Sequence, residues 1–64
     1  MSLKSFVNNN AEWEAFCQEL DELIEQQHRR MEQSELVIDI HRAQGSIHML
    51  RKLKFLRDKV NGTK

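Results

Sequence analysis

Between Ala11 and Asn61 the chain contains no proline and one glycine, Gly45. Apolar residues recur through that span at steps of three and four. They never alternate with period two for long enough to line one face of a strand. A segment without helix breakers, with that spacing and rich in good helix formers, has one regular structure open to it, the α-helix. The expected class is therefore all-α.

The first long helix is expected over about residues 11–33. Trp13, Phe16, Cys17, Leu20, Leu23, Ile24 and Met31 fall on one face, and the opposite face is mostly acidic. Asn9 or Asn10 suits its N-cap, and Glu12 and Glu14 suit the positive end of the helix dipole. The second long helix is expected over about residues 35–61. Ser34 is its candidate N-cap, Arg57 and Lys59 stand in its last turn, and Gly62 is the stop signal just beyond it. Residues 1–10 read as a short N-terminal arm, since Asn8, Asn9 and Asn10 compete for backbone hydrogen bonds and favour caps and turns. Phe6 or Val7 could anchor the arm on the first helix, and a short helical turn over residues 3–7 is compatible with its composition.

Two long helices could form one rod or fold back on each other. The apolar stripe of the first helix, extrapolated, does not meet the stripe Leu36, Ile40, Ala43, Ile47, Leu50, so the register slips near residues 33–35. Charge supplies a second argument. Residues 1–33 carry three basic and seven acidic side chains, a net −4. Residues 34–64 carry seven basic and three acidic, a net +4. An antiparallel two-helix hairpin would lay the acidic stretch along the basic one, whereas a rod-like coiled coil would leave that match to another molecule. The hairpin is the expected fold of this single domain, 1–64. Its simplest register sets Trp13 opposite Phe55, Leu20 opposite Met49 or Leu50, and His28 near His41.

The second helix has more apolar surface than one partner helix covers. Beside the stripe just named runs another, through Ile38, Gly45, Met49, Leu53, Leu56 and Val60. One partner accounts for an arc of about 100°. The second stripe is the expected self-association surface, with burial against Phe6 and Val7 of the arm as the rival. A glycine inside a helix costs about 0.8–1 kcal/mol relative to alanine. Gly45, close to Ala43, would repay that by letting a neighbouring backbone approach; the plainer reading is that it is tolerated or marks a bend.

Size points the same way. A chain of 64 residues is marginal alone and usually gains stability from a disulfide, a metal or association. Cys17 is the only cysteine, so no disulfide can form within the chain, and a reducing compartment is expected. Residues 1–10 hold no continuous apolar run of the kind a signal peptide needs, and no stretch is long and apolar enough to span a bilayer.

Signs of chemistry are few. No glycine-rich phosphate loop is present, and no nucleophile stands at a telling distance from a base, so no catalytic residue and no cofactor are expected. Glu25 and His28 have the i, i+3 spacing of di-iron bundles, but the second helix offers only Glu35 and Asp39 as further carboxylates. His41 and His48, seven residues apart, are about 10 Å apart along a helix and cannot share an ion. No metal site is expected. Cys17 reads as a small core residue. His48, Arg51, Lys52, Lys54, Arg57 and Lys59 form a basic cluster that could contact phosphates or an acidic protein surface. Equally, it could simply answer the acidic face of the first helix.

The segments "WEAFCQELDELIEQQHRRMEQ" and "IHRAQGSIHMLRKLKFLRDKVNG" resemble small proteins encoded in the structural gene clusters of tailed bacteriophages. The likeness covers roughly residues 3–62. It is carried by Trp13, Phe16, Leu20, Arg42, Ala43, Gln44, Gly45, Leu50, Leu53, Leu56, Arg57 and Asp58. The resemblance implies a non-enzymatic accessory or adaptor in virion assembly or packaging. Such a protein would act through protein–protein contacts with phage structural or host proteins, in the host cytoplasm or the virion, and it supplies no catalytic residues. The alternatives are a small nucleic-acid-binding regulator using the basic end of the second helix, and an inhibitor of a host protein.

Overall fold

A computed structural model describes residues 2–62. Met1, assigned above to the arm, and Lys64, counted in the basic half, lie outside the described residues. The protein is all-α: α1 spans Leu3–Asn8, α2 Asn10–Gln33, α3 Val37–Leu53 and α4 Leu56–Val60, with no strand among the described residues. The expectation of two helices and an arm becomes four helices, two of them long.

The arm is helical because its ends are capped. The Ser2 hydroxyl accepts a hydrogen bond from the Ser5 amide at 3.1 Å. Asn9 then serves two helices at once. Its amide donates to the Ser5 and Phe6 carbonyls at the end of α1, and its side-chain oxygen accepts from the Glu12 amide at the start of α2. One extended residue, with φ −83° and ψ 106°, thus turns the chain from α1 into α2. The turn throws α1 back onto α2. Phe6 meets the edges of Trp13 and Phe16 with ring centroids 6.1 and 5.3 Å apart, and Val7 is fully buried.

Ser34 ends α2 rather than starting the second long helix. Its amide donates to the Arg30 carbonyl, while its hydroxyl accepts from the Leu36 amide and donates to Asp39 Oδ2. The N-cap of α3 falls to Leu36, which has no side-chain oxygen to offer. The chain leaves the turn later than expected, and the pairing of α2 with α3 moves accordingly. The two run antiparallel, with Asp21 bonded to Lys54 at 2.7 Å and Leu23 sharing a groove with Met49 and Leu50. Those contacts lie close to one helical turn from the expected pairing of Leu20 with Met49 or Leu50. His28 lies beside Gln44 and His48 rather than His41. Trp13 takes Phe6 and Phe16 as its aromatic neighbours, and Phe55 is 66% exposed.

The second long helix is also broken. At Lys54 and Phe55 the backbone tightens, with amides bonding to the carbonyls of Arg51 and Lys52, and Phe55 sits at φ −95°, ψ 4°. No glycine or proline marks the place. The break turns α4 against α1, where Asn8 and Asn61 exchange side-chain amide bonds of 3.1 and 2.8 Å. Leu56 and Val60, one turn apart, are the half-buried residues of α4. Gly62 closes the helix with φ 72°, the left-handed stop that its position in the sequence suggests.

The core is small: Val7, Trp13, Leu20, Ala43 and Ile47 are its buried apolar residues. Val7 is the link in it that joins the arm to the rest. Val7→Ala should lower unfolding stability by about 2 kcal/mol, through lost transfer free energy and the cavity left behind. Urea unfolding followed by circular dichroism at fixed protein concentration measures it. A change below about 0.5 kcal/mol, the scale of a surface substitution, would mean that α1 is not docked.

Candidate interaction surface

The outer face of α3 is set by which residues the inner face needs. Ala43 and Ile47 are buried, and Ile40 and Leu50 half-buried, against α2. The residues a third of a turn away are left outside. Of the expected self-association stripe, Ile38, Gly45, Met49 and Leu53 are exposed, Met49 to 58%. Leu56 and Val60 are half-buried because the break at Lys54–Phe55 carries them round toward α1. Leu56 still lines one cleft with Met49, Leu53 and Phe55, flanked by Lys52 and Lys59. Val60 does not line it.

Met49 also borders a second, larger groove between α2 and α3, which holds Leu23, Arg30, Arg42, Gly45 and Leu50. The two concavities meet at Met49, so Leu23, Met49, Leu53 and Phe55 make a continuous apolar surface with cationic flanks. Leu23 belongs to the apolar face expected for the first helix and Phe55 to the expected pairing with Trp13, yet both are exposed. Leu23 was legible as an edge residue, since it lies on the margin of its stripe. Phe55 was not, because its exposure follows from the unsignalled break. A separate apolar group, Leu36, Val37 and Ile38, stands exposed at the α2–α3 turn.

A Cβ added at Gly45 would meet nothing within 4 Å. The close approach proposed for this glycine therefore does not occur within the chain, and α3 is unbroken around it.

The basic residues, a cluster in sequence, are dispersed in space. Lys54 is tied to Asp21, the one ion pair among the described residues. His48 and Arg51 line a cleft with His28, Met31 and Gln44. Lys52 and Lys59 flank the apolar cleft, and Arg57 is exposed on α4. Among the described residues the acidic and basic stretches thus neutralise each other at a single contact. Between two exposed side chains such a contact contributes about 0–1 kcal/mol.

Among the described residues no group of three or more histidine, cysteine, aspartate or glutamate side chains could hold a metal ion. Among the described residues no helix is long and apolar enough to cross a membrane. Cys17 is half-buried on α2 as a free thiol. Comparison with protein-family models, curated proteins and solved structures finds no match.

Gly45→Ala should raise the stability of the isolated chain by about 0.8–1 kcal/mol, since helix propensity improves and nothing in the chain is displaced. Urea unfolding at the lowest workable concentration checks it. A loss would show that something occupies the space beside Gly45.

Proposed function

We propose that this protein is a non-enzymatic adaptor that works by docking its exposed apolar face, Leu23, Met49, Leu53 and Phe55, onto other protein surfaces. Its setting is the assembly or packaging of tailed-phage particles, in the host cytoplasm or on the virion, as the resemblance of residues 3–62 implies. The single observation that supports docking is the exposure of large apolar side chains in a continuous strip on a chain with five buried apolar residues among those described. Soluble monomers rarely keep such a surface free, and where it occurs it commonly marks an interaction site. The flanking cations Arg30, Arg42, Lys52 and Lys59 would orient the partner, since charges at a rim set orientation more than affinity.

A phage encoding Met49→Glu together with Leu53→Glu should replicate its DNA normally and yield few or no complete particles. Both sites are exposed, so the fold is retained, and circular dichroism verifies that. Normal particle yield from the folded double variant would sink the assembly role.

A second reading rests on the exposed cations Arg51, Lys52, Arg57 and Lys59, none of which is ion-paired among the described residues. They suit the phosphates of a nucleic acid. If they bind it, affinity for generic DNA or RNA should fall steeply with salt, with a logarithmic slope of about −2 to −4 for two to four phosphates neutralised. Binding indifferent to salt, or undetectable at low salt, counts against this reading.

A further inference from the structure

We infer that the occupant of the apolar face is a second copy of this chain, packed antiparallel to the first about a two-fold axis at the level of Leu23 and Met49. The inference rests on the docking reading above and names the partner of that same surface.

Area is the first argument. A compact folded monomer of 7.6 kDa exposes about 4,300 Å². This chain exposes 5188 Å², an excess of about 900 Å². One partner in a standard two-chain interface loses about 800 Å². The shape agrees. The Cα radius of gyration is 14.2 Å, against about 11 Å for a compact domain of this length, and the molecule measures 42 × 21 × 18 Å. A rod of that shape becomes more compact when two are laid side by side.

Charge chooses the orientation. Arg30 of α2 and Arg42 of α3 stand together at the turn end of the groove. On the other side of Leu23, one turn back along α2, lies Glu19, with Glu12 two turns beyond it. None of these four is ion-paired among the described residues. A two-fold axis parallel to the long helices would stack the arginine end of one copy on the arginine end of the other. A two-fold axis perpendicular to the helices, passing midway between Glu19 and Arg30, exchanges the two ends. Glu19 of each copy then meets the arginine pair of the other. That midpoint falls beside Leu23 and so level with Met49, where the two grooves of the apolar surface meet. One symmetry operation thus sets Leu23 and Met49 on their own counterparts and Glu19 on the arginines, as an isologous contact requires, while Lys52 and Lys59 flank the far end of the strip. Gly45, one turn from Met49, leaves a gap into which a side chain of the second copy fits.

Charge reversal tests this. In sedimentation equilibrium the native chain should have twice its monomer mass at micromolar concentration, and dissociation should strengthen with salt. Glu19→Arg and Arg30→Glu should each weaken dimerisation by roughly tenfold, because two symmetric pairs change from attraction to repulsion. The chain carrying both should return to within about threefold of native affinity. Glu19 and Arg30 are roughly 16 Å apart along one helix, too far to pair within a chain, so recovery can arise only between copies. A native chain that stays monomeric overturns the inference while leaving the adaptor reading to its own particle-yield test. A dimer whose single variants are unaffected, or whose double variant fails to recover, overturns the antiparallel arrangement. A dimer undisturbed by Met49→Glu overturns the choice of face.

Discussion

The contact between the arm and the aromatic pair on α2 governs the remainder of the molecule. Phe6 makes T-shaped contacts with Trp13 and Phe16, and Val7 beside it in sequence loses all its solvent exposure. Edge-to-face aromatic contacts add to the burial that brings them together. Because α1 lies there, the end of the second long helix has something to turn toward. The break at Lys54–Phe55 gives up part of the regular helical hydrogen bonding and in exchange sets α4 on α1, where Leu56 and Val60 lose part of their exposure and Asn8 and Asn61 bond reciprocally. Take the aromatic contact away and neither the arm nor α4 has a surface to rest on.

A chain this small cannot cover all of its apolar residues, and the structure shows which ones it leaves out. Two helices crossing once bury one stripe from each. The inner stripe of α3 goes to α2 through Ala43 and Ile47. The outer one, with Met49 and Leu53, has no third layer to meet. This is the surface-to-volume limit of small domains expressed in particular side chains. A function based on docking is the natural consequence, since the surface that costs stability in isolation is the surface that binds.

Charge behaves in an instructive way. The separation into an acidic half and a basic half suggested mutual neutralisation within the chain, yet among the described residues only Asp21 and Lys54 meet. Side chains facing away from the contact between two helices cannot reach across it, and most of the acidic residues of α2 sit on that outer side. Glu12, Glu19, Arg30 and Arg42 are not ion-paired among the described residues, and their placement either side of Leu23 gives the exposed face a direction.

The helical class, the first long helix, Asn9 as one of two cap candidates, the Gly62 stop, an anchor at Phe6 or Val7, and the inner position of Ile47 were legible in the amino-acid order. Each depends on local propensity or on the 3.6-residue period, which are properties of neighbouring residues. The displaced pairing of α2 with α3, the role of Ser34 as an ending rather than a beginning, and the break at Lys54–Phe55 were decided by the tertiary structure. The pairing depends on how many residues the turn uses, which no local pattern encodes. The break occurs at residues that would otherwise continue a helix, because docking on α1 outweighs the few hydrogen bonds lost, and that balance exists only once distant segments are in contact.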